Sequence, residues 1–232
     1  CCIASSNTLL NALLCVVIVL ANPNDMLDDL KRSQSEGHIF DAEKYATKWS
    51  AKKHDHFLIP AGTVHCSGKD CMVLEISATP YIFTFKLWDW GRLGMDGRPR
   101  PISIEHGQKV IQWDRTSDWT RNNLINQFEE ISCGDGWIEE KTGLHDLEFI
   151  ETRRQWFNCK VYHNTENTLN VLMIIDGEQA IIESPTDAFD PFIVNFCEAF
   201  IVPANVGEYT VKPTGLSKNK KIALIKAFVK LK

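Results

Sequence analysis

The chain has 232 residues, of which 44% are hydrophobic, and a formal net charge of −5. This length fits one large domain or two small ones, and the composition is that of an ordinary globular protein. The mild acidic balance argues against a nucleic-acid-binding protein, whose surface is strongly basic. The 8 cysteines are irregularly spaced and form no zinc-binding pattern, so we expect free thiols in a reducing cytoplasm.

The first element is an apolar run from Leu9 to Leu20. It is shorter than the roughly 20 residues that span a membrane, and it lacks the basic start of a signal peptide. Its Val- and Ile-rich part, Cys15–Leu20, therefore predicts a buried strand. Because the chain opens at Cys1 instead of Met, we expect the full protein to be longer.

A few short helices follow. Asp25 is a good N-cap residue, and the apolar spacing behind it predicts a helix over Met26–Gln34. Further short helices are predicted at Ala42–Thr47 and Thr120–Glu130. The polar and aromatic stretch Asp114–Arg121 is interpreted as a connector.

The remaining pattern is one of short strands separated by turn signals, which is typical of antiparallel barrels or sandwiches. The glycine-rich stretch Ser132–Gly136 predicts a boundary between a first lobe, residues 1–131, and a second lobe, residues 132–232. In the first lobe, strands are expected at Phe57–Ile59, Cys71–Ser77 and Tyr81–Trp90. In the second lobe they are expected at Glu148–Glu151, Trp156–Tyr162, Thr168–Ile175, Ala180–Glu183, Phe192–Phe196, Ala199–Val202, Glu208–Val211 and Ile222–Val229.

One local motif stands out at residues 57–65, where an apolar strand runs into a Pro-x-Gly turn that is followed by a histidine. Pro60 fixes its own φ and Gly62 permits a tight corner, so the chain doubles back sharply. A histidine held rigidly at the start of the next strand, His65, is a good metal ligand. The alternative is a hydrogen-bonded strand histidine without a ligand.

The turn resembles the second sequence motif of the cupins, Gly-x5-Pro-x-Gly-x2-His-x3-Asn. Pro60, Gly62 and His65 match, whereas His54 and Lys69 replace the first glycine and the asparagine. Four further segments follow the turn in a fixed order: the strand at 72–76, the run Phe85–Arg92, the hairpin at 94–100 and the closing strands at 200–211. The turn and these segments, in this order, resemble the class I phosphomannose isomerases. That resemblance implies two cupin-type antiparallel β-barrels.

The resemblance also implies a function: a metal-dependent aldose–ketose isomerase that interconverts mannose 6-phosphate and fructose 6-phosphate. In the family, zinc is held by a Gln, a His and a Glu from earlier strands and by the turn histidine, which corresponds to His65. The catalytic arginine of the family corresponds to Lys86, which keeps the positive charge but loses the bidentate fork. Glu75 is a candidate acid/base group, because a carboxylate on a half-buried strand is costly unless it is paired or functional.

The ligand set is incomplete in the sequence. Zinc takes about four ligands, yet Cys1–Ala21 contains no His, Glu or Asp. Either zinc or another divalent metal uses ligands that precede Cys1, or this is a metal-free relative. The alternative function is a non-catalytic cupin module that binds a sugar phosphate or has a structural role. We expect a small-molecule sugar phosphate as the ligand, no nucleic-acid or membrane partner, and a cytoplasmic location.

The second lobe repeats the motif spacing without its ligands, since Glu208 replaces the turn histidine and Asn170 the ligand glutamate of the other cupin motif. We therefore expect an interior filled by apolar side chains, and His163 as a loop histidine instead of a ligand. In the first lobe, His54 and His56 form a His-x-His pair that is interpreted as a solvated strand edge. The lobe's tryptophans are interpreted as packing residues, with stacking on a sugar ring as the alternative.

Overall fold

The computed structural model describes residues 2–5, 12–16, 22–68, 71–78, 85–142 and 148–231. They divide into two compact units, Cys1–Gln127 and Phe128–Lys232. Taken over the described residues, the structure is mostly antiparallel β-sheet with few helices, which confirms the expected all-β class. The division falls four residues before the predicted boundary, because Ser132–Gly136 is no linker: it ends one strand and turns into the next within the second unit.

The first unit contains six short strands and three helices within its described residues. A 3-10 turn at Ala42–Lys44 occupies part of the predicted second helix. The strands form two three-stranded sheets, ordered β4-β1-β6 and β3-β2-β5. The elements are β1 Cys2–Ser5, β2 Ala12–Val16, α1 Pro23–Glu36, β3 Lys48–Ala51, β4 His56–Phe57, β5 His65–Ser67, β6 Met72–Glu75, α2 Ile104–Gly107 and α3 Ser117–Asn123.

The helix α1 is longer than predicted, and local chemistry sets both of its ends. The side chain of Asn22, not that of Asp25, caps it by accepting a hydrogen bond from the Asn24 N–H at 3.0 Å. Gly37 ends the helix in the left-handed conformation, with φ of 69°. Its apolar side packs on the side chains of Phe40, Tyr45 and Ile104 and so forms the core of the first unit; the helix contributes Met26, Leu27 and Leu30.

Three expectations for the first unit are corrected. The described part of the predicted strand Tyr81–Trp90, residues 85–90, is irregular, and residues 81–84 lie outside the described part. The predicted connector Asp114–Arg121 and the predicted helix Thr120–Glu130 meet in α3, whose N-cap is Thr116. His56 is fully buried on β4, while His54 lies in a turn with φ of 72°, so this pair shares no strand face and His56 is not solvated.

The second unit contains ten strands in two sheets, within its described residues. The six-stranded sheet has the order β14-β11-β16-β9-β8-β7, and the four-stranded sheet has the order β10-β15-β12-β13. The strands are β7 Glu129–Gly134, β8 Trp137–Lys141, β9 Ile150–Phe157, β10 Val161–Asn164, β11 Asn170–Asp176, β12 Gln179–Glu183, β13 Phe192–Asn195, β14 Ala199–Val202, β15 Glu208–Pro213 and β16 Ile222–Val229.

One core lies between these two sheets, which is the packing that the alternating strands predict. Leu172, Ile174 and Leu224 come from the larger sheet, and Ile182 and Val211 from the smaller one. Phe200 packs against the same cluster. The sequence predicts two strands here, one ending at Glu151 and the next beginning at Trp156. The structure has a single strand instead, because β9 continues through the polar residues between them and pairs with a neighbouring strand on each side.

Ion pairs within β9 and between β9 and β8 explain why polar residues lie within β9. Arg153 lies 3.7 Å from Glu139 and 2.6 Å from Glu151, and Arg154 lies 2.8 Å from Glu140. Paired charges are the form in which charged groups tolerate burial. Among the residues that the structure describes, no helix is long and apolar enough to cross a membrane.

Candidate functional site

The turn that precedes His65 has the conformation that its sequence predicts. The Thr63 N–H donates to the Pro60 carbonyl oxygen at 3.1 Å, and Gly62 adopts φ of 81°. The Gln112 N–H donates to the Gly62 carbonyl oxygen at 3.0 Å. A Cβ at position 62 would overlap the backbone carbonyl oxygen of Val110, so glycine is required here both for its φ and for the close approach of two backbones.

A second contact fixes the same turn from the side of α3. The Nη1 atom of Arg115 donates to the carbonyl oxygens of Pro60 at 3.1 Å and Ala61 at 2.8 Å, and it also contacts the Thr63 hydroxyl. The Arg115 guanidinium lies 5.3 Å from the centre of the Trp119 ring. These bonds join residues more than fifty positions apart, so the turn is held by tertiary structure as well as by its own glycine.

His65 is the first residue of β5, and its side chain is exposed. Its Nδ1 lies 2.9 Å from the Thr63 carbonyl oxygen. Because a carbonyl oxygen only accepts, Nδ1 carries the proton and donates it, which leaves the lone pair of neutral imidazole on Nε2. Metal-binding histidines are commonly oriented in this way, with one ring nitrogen bonded to a backbone carbonyl and the other free to coordinate.

Glu75 and Lys86 lie on other parts of the first unit. Glu75 ends β6, where it pairs in register with Cys2, and its side chain is exposed. Lys86 lies in an irregular segment, and its backbone oxygen accepts from the Ser103 N–H at 2.7 Å. Among the described residues, no hydrogen bond or ion pair joins His65, Glu75 and Lys86 to one another. Their common role in one site stays a prediction.

Lys86 has a partner set that the sequence analysis did not single out. The buried carboxylate of Asp89 lies 3.5 Å from Lys86 Nζ and 3.0 Å from Arg100 Nη1. Burial alone would raise the pKa of Asp89, but the two neighbouring cations outweigh it and hold this pKa below its usual value. The ionised Asp89 therefore holds two half-exposed cations, Lys86 and Arg100.

A hairpin brings Arg100 to this position. The Gly94 N–H donates to the Arg98 carbonyl oxygen at 2.8 Å, and the Arg100 N–H donates to the Arg92 carbonyl oxygen at 3.0 Å. The sequence does indicate a hairpin at this place, because the glycine-containing segment at 94–100 follows Asp89 closely. The pattern did not show which charged residue of the hairpin would return to the aspartate.

In the second unit, His163 is a strand residue and not the expected loop histidine. It lies on β10 and is buried, and its ring is stacked on Tyr209 at 5.1 Å between ring centres. The Asn170 amide donates to the Tyr209 hydroxyl at 2.8 Å. Burial, assisted by the positive charge of Lys226, lowers the pKa of His163 to about 3, so the ring is neutral.

The described side chains do not by themselves make a metal centre. No three His, Cys, Asp or Glu side chains among them lie where they could hold one ion together. His65 has the tautomer of a ligand but is a single donor, whereas zinc takes about four. The described residues therefore do not fit a complete zinc site.

Comparison with known proteins agrees with the resemblance seen in the sequence. No family model matches the chain. The chain is 34% identical over 71 residues to a mannose-6-phosphate isomerase of Streptococcus mutans, a match that covers 31% of the chain and 22% of the relative. It is 22% identical over 168 residues to a probable mannose-6-phosphate isomerase of Bacillus subtilis, covering 70% of the chain and 47% of the relative.

Two solved structures share the fold. The mannose 6-phosphate isomerase of Bacillus subtilis matches with a TM-score of 0.66 and 15% identity, over 97% of this chain and 63% of that one. A putative mannosephosphate isomerase of Archaeoglobus fulgidus matches with a TM-score of 0.58 and 10% identity, over 99% and 60%. The chain resembles mannose-6-phosphate isomerases in sequence and in fold. It spans less than half of the length of the curated relatives that it matches.

Proposed function

We propose that this protein is a mannose-6-phosphate isomerase-like enzyme that interconverts mannose 6-phosphate and fructose 6-phosphate. The observation that carries the proposal is the conformation of the His65 turn. Its histidine keeps Nε2 free through the hydrogen bond to Thr63, and Arg115 fixes the backbone that presents it. The exposed ring leaves Nε2 accessible to a metal ion.

In this proposal, Lys86 and Arg100 act on the anionic groups. Aldose–ketose isomerisation develops negative charge on the substrate oxygens, and a sugar phosphate carries further charge at its end. Lys86 is assigned to the developing charge, because cations aimed at such charge stabilise the transition state. Arg100 has the planar fork that suits a phosphate group. Glu75 is assigned to proton transfer between the two adjacent carbons, the role of a positioned acid/base group.

The cofactor in this proposal is a divalent metal such as zinc, with His65 as one ligand. The other ligands are not among the described residues, so no chemical step is assigned to the metal here.

The test measures metal content and turnover together in the protein. Elemental analysis gives the zinc content, and a coupled assay gives mannose 6-phosphate turnover. His65→Ala is expected to abolish metal-dependent turnover and to lower bound metal, because it removes one of about four ligands. His38→Ala is the matched control, since His38 is also exposed but lies in the loop behind α1. Full activity in His65→Ala would refute the proposal.

The second candidate function is a cupin module that binds a sugar phosphate without converting it. It is favoured by the lack of any three metal donors grouped around one position among the described residues, and by lysine at the position of the family's arginine. Lys86→Arg separates the two functions. In an enzyme, the arginine is expected to maintain or raise turnover while Lys86→Ala lowers it. In a binding module, both variants change only the affinity for mannose 6-phosphate, and no turnover is seen with added zinc.

A further inference from the structure

A cavity of about 350 Å³ lies entirely within the second unit, at the ends of β7, β8, β9 and β10. This volume falls at the lower end of the range of about 300 to 1,000 Å³ that is usual for small-molecule sites. None of the residues assigned to the isomerase site lines it. Its lining combines aromatic and polar side chains: Trp137, Glu139, Gln155, Lys160, Tyr162 and Asp135.

The deepest polar groups of the cavity are Glu139 and Gln155. They are direct register partners on β8 and β9, so both side chains extend from the same face of the sheet. Glu139 is 9% exposed and Gln155 5% exposed. Glu139 is already paired, at 3.4 Å from Lys226 and 3.7 Å from Arg153.

Gln155 differs from Glu139 because its amide oxygen is buried without a hydrogen-bond donor among the described residues. Buried polar atoms of native proteins nearly always have a partner, and an exception asks for an explanation. Because this oxygen has almost no accessible surface in the structure, a ligand hydroxyl or amine in the cavity would provide the missing donor once the Gln155 amide turns toward it.

Two aromatic side chains line the same space. Trp137 is half-buried against the core of the unit, and Tyr162 is 75% exposed on β10. Aromatic rings provide flat, rigid, apolar surface with a polar edge, which suits a ligand that has both apolar and polar faces. A ring of C–H groups that bears hydroxyls is such a ligand.

The charges of the lining disfavour an anion. Glu139 is paired with Lys226 and Arg153, whereas Asp135 provides a carboxylate that enters no ion pair among the described residues. The cation among the lining residues, Lys160, is held at 2.7 Å by Glu183 outside the cavity. Lys160 also holds the pKa of Glu183 below its usual value, so this pair is ionised. A phosphate group would therefore meet negative charge without a free cation, whereas a neutral ligand would not.

We propose that this cavity is a binding site for a neutral polyol or monosaccharide, with a ligand hydroxyl donating to Gln155 Oε1 and the carbon skeleton packing on Trp137 and Tyr162. The site is independent of the proposed isomerase function. It assigns to the second unit a recognition role toward unphosphorylated sugars or sugar alcohols.

The experiment titrates the whole chain with D-mannose, with mannitol and with mannose 6-phosphate, using calorimetry and ligand-observed NMR. Gln155→Leu is the central variant: it has similar size and removes the unpartnered oxygen, so the protein is expected to be as thermally stable as before or more stable. Binding of mannose or mannitol is expected to weaken at least about tenfold, the loss that one hydrogen bond brings. Tyr162→Ala is expected to weaken it similarly, while Phe149→Ala, an exposed aromatic outside the lining, serves as the control.

Three results would overturn the proposal: no saturable binding of either neutral probe to the folded wild type, equal binding in Gln155→Leu and wild type, or tighter binding of mannose 6-phosphate that Gln155→Leu abolishes. His65→Ala keeps this test separate from the isomerase proposal. It is expected to leave the binding of mannose and mannitol unchanged, whatever it does to turnover.

Discussion

The buried histidine of the second unit makes stability depend on pH in a defined window. Burial lowers the pKa of His163 to about 3 in the folded protein, while an unfolded histidine titrates near about 6.5. Between these values the unfolded chain binds one more proton than the folded one, so the contribution of His163 to stability is lost as the pH falls below about 6.5. One pKa unit corresponds to about 1.36 kcal/mol, so a change from pH 7 to pH 5 costs about 2 kcal/mol through this residue alone.

The measurement compares the wild type with His163→Phe, which keeps an aromatic ring against Tyr209 but does not titrate. Urea unfolding is followed at pH 7 and at pH 5 through NMR signals of β10 and β15, the pair of strands that carries the two rings. Other titrating groups are common to both proteins and cancel in the difference. The wild type is expected to lose about 2 kcal/mol more than the variant. A difference below about 0.5 kcal/mol, the usual error of such comparisons, would show that His163 is not held neutral by burial.

Two further predictions concern the first unit. Gly62→Ala is expected to lower the free energy of unfolding by about 1 to 3 kcal/mol and to release the His65 turn. Gly37→Ala is the control, because Gly37 has a similar positive φ but open space around it. Equal losses of unfolding free energy in urea titrations of the two variants would contradict the steric part of the argument. Asp89→Asn is expected to lower the melting temperature at pH 7, because it removes the anion between two cations. Because folding lowers the pKa of Asp89, the difference in melting temperature between wild type and Asp89→Asn is expected to shrink as the pH falls below about 3.8. A difference in melting temperature that stays constant down to pH 3 would refute the pairing.

Local chemistry explains which elements were predictable. The helix α1 has a cap, a proline and a left-handed glycine within its own sequence, so its existence follows from neighbouring residues. The turn before His65 is likewise set by Pro60 and Gly62. In the second unit, apolar alternation predicted most strands, including Ile222–Val229 with its observed bounds.

The failures share a cause, which is burial of polar residues by distant partners. Residues 85–90 alternate in a way that favours a strand, but Asp89 is turned inward by cations, one of which comes from a hairpin eleven residues later. The polar centre of β9 predicts a break between two strands, yet Arg153 and Arg154 pair with carboxylates of β8. Periodicity counts apolar residues and contains no information on such pairs, so it cannot place them.

Distant partners also shape the candidate site. The sequence motif predicts the residue that would bind a metal, but the structure shows that its geometry depends on residues outside the motif. Arg115 fixes two carbonyl oxygens of the turn, and Arg100 shares the carboxylate of Asp89 with Lys86. A relative that kept Pro60, Gly62 and His65 but lost Arg115 would retain the motif without the support of its backbone. Under the proposed function, retention of the two arginines is therefore expected to accompany mannose 6-phosphate turnover in related chains more closely than the motif itself.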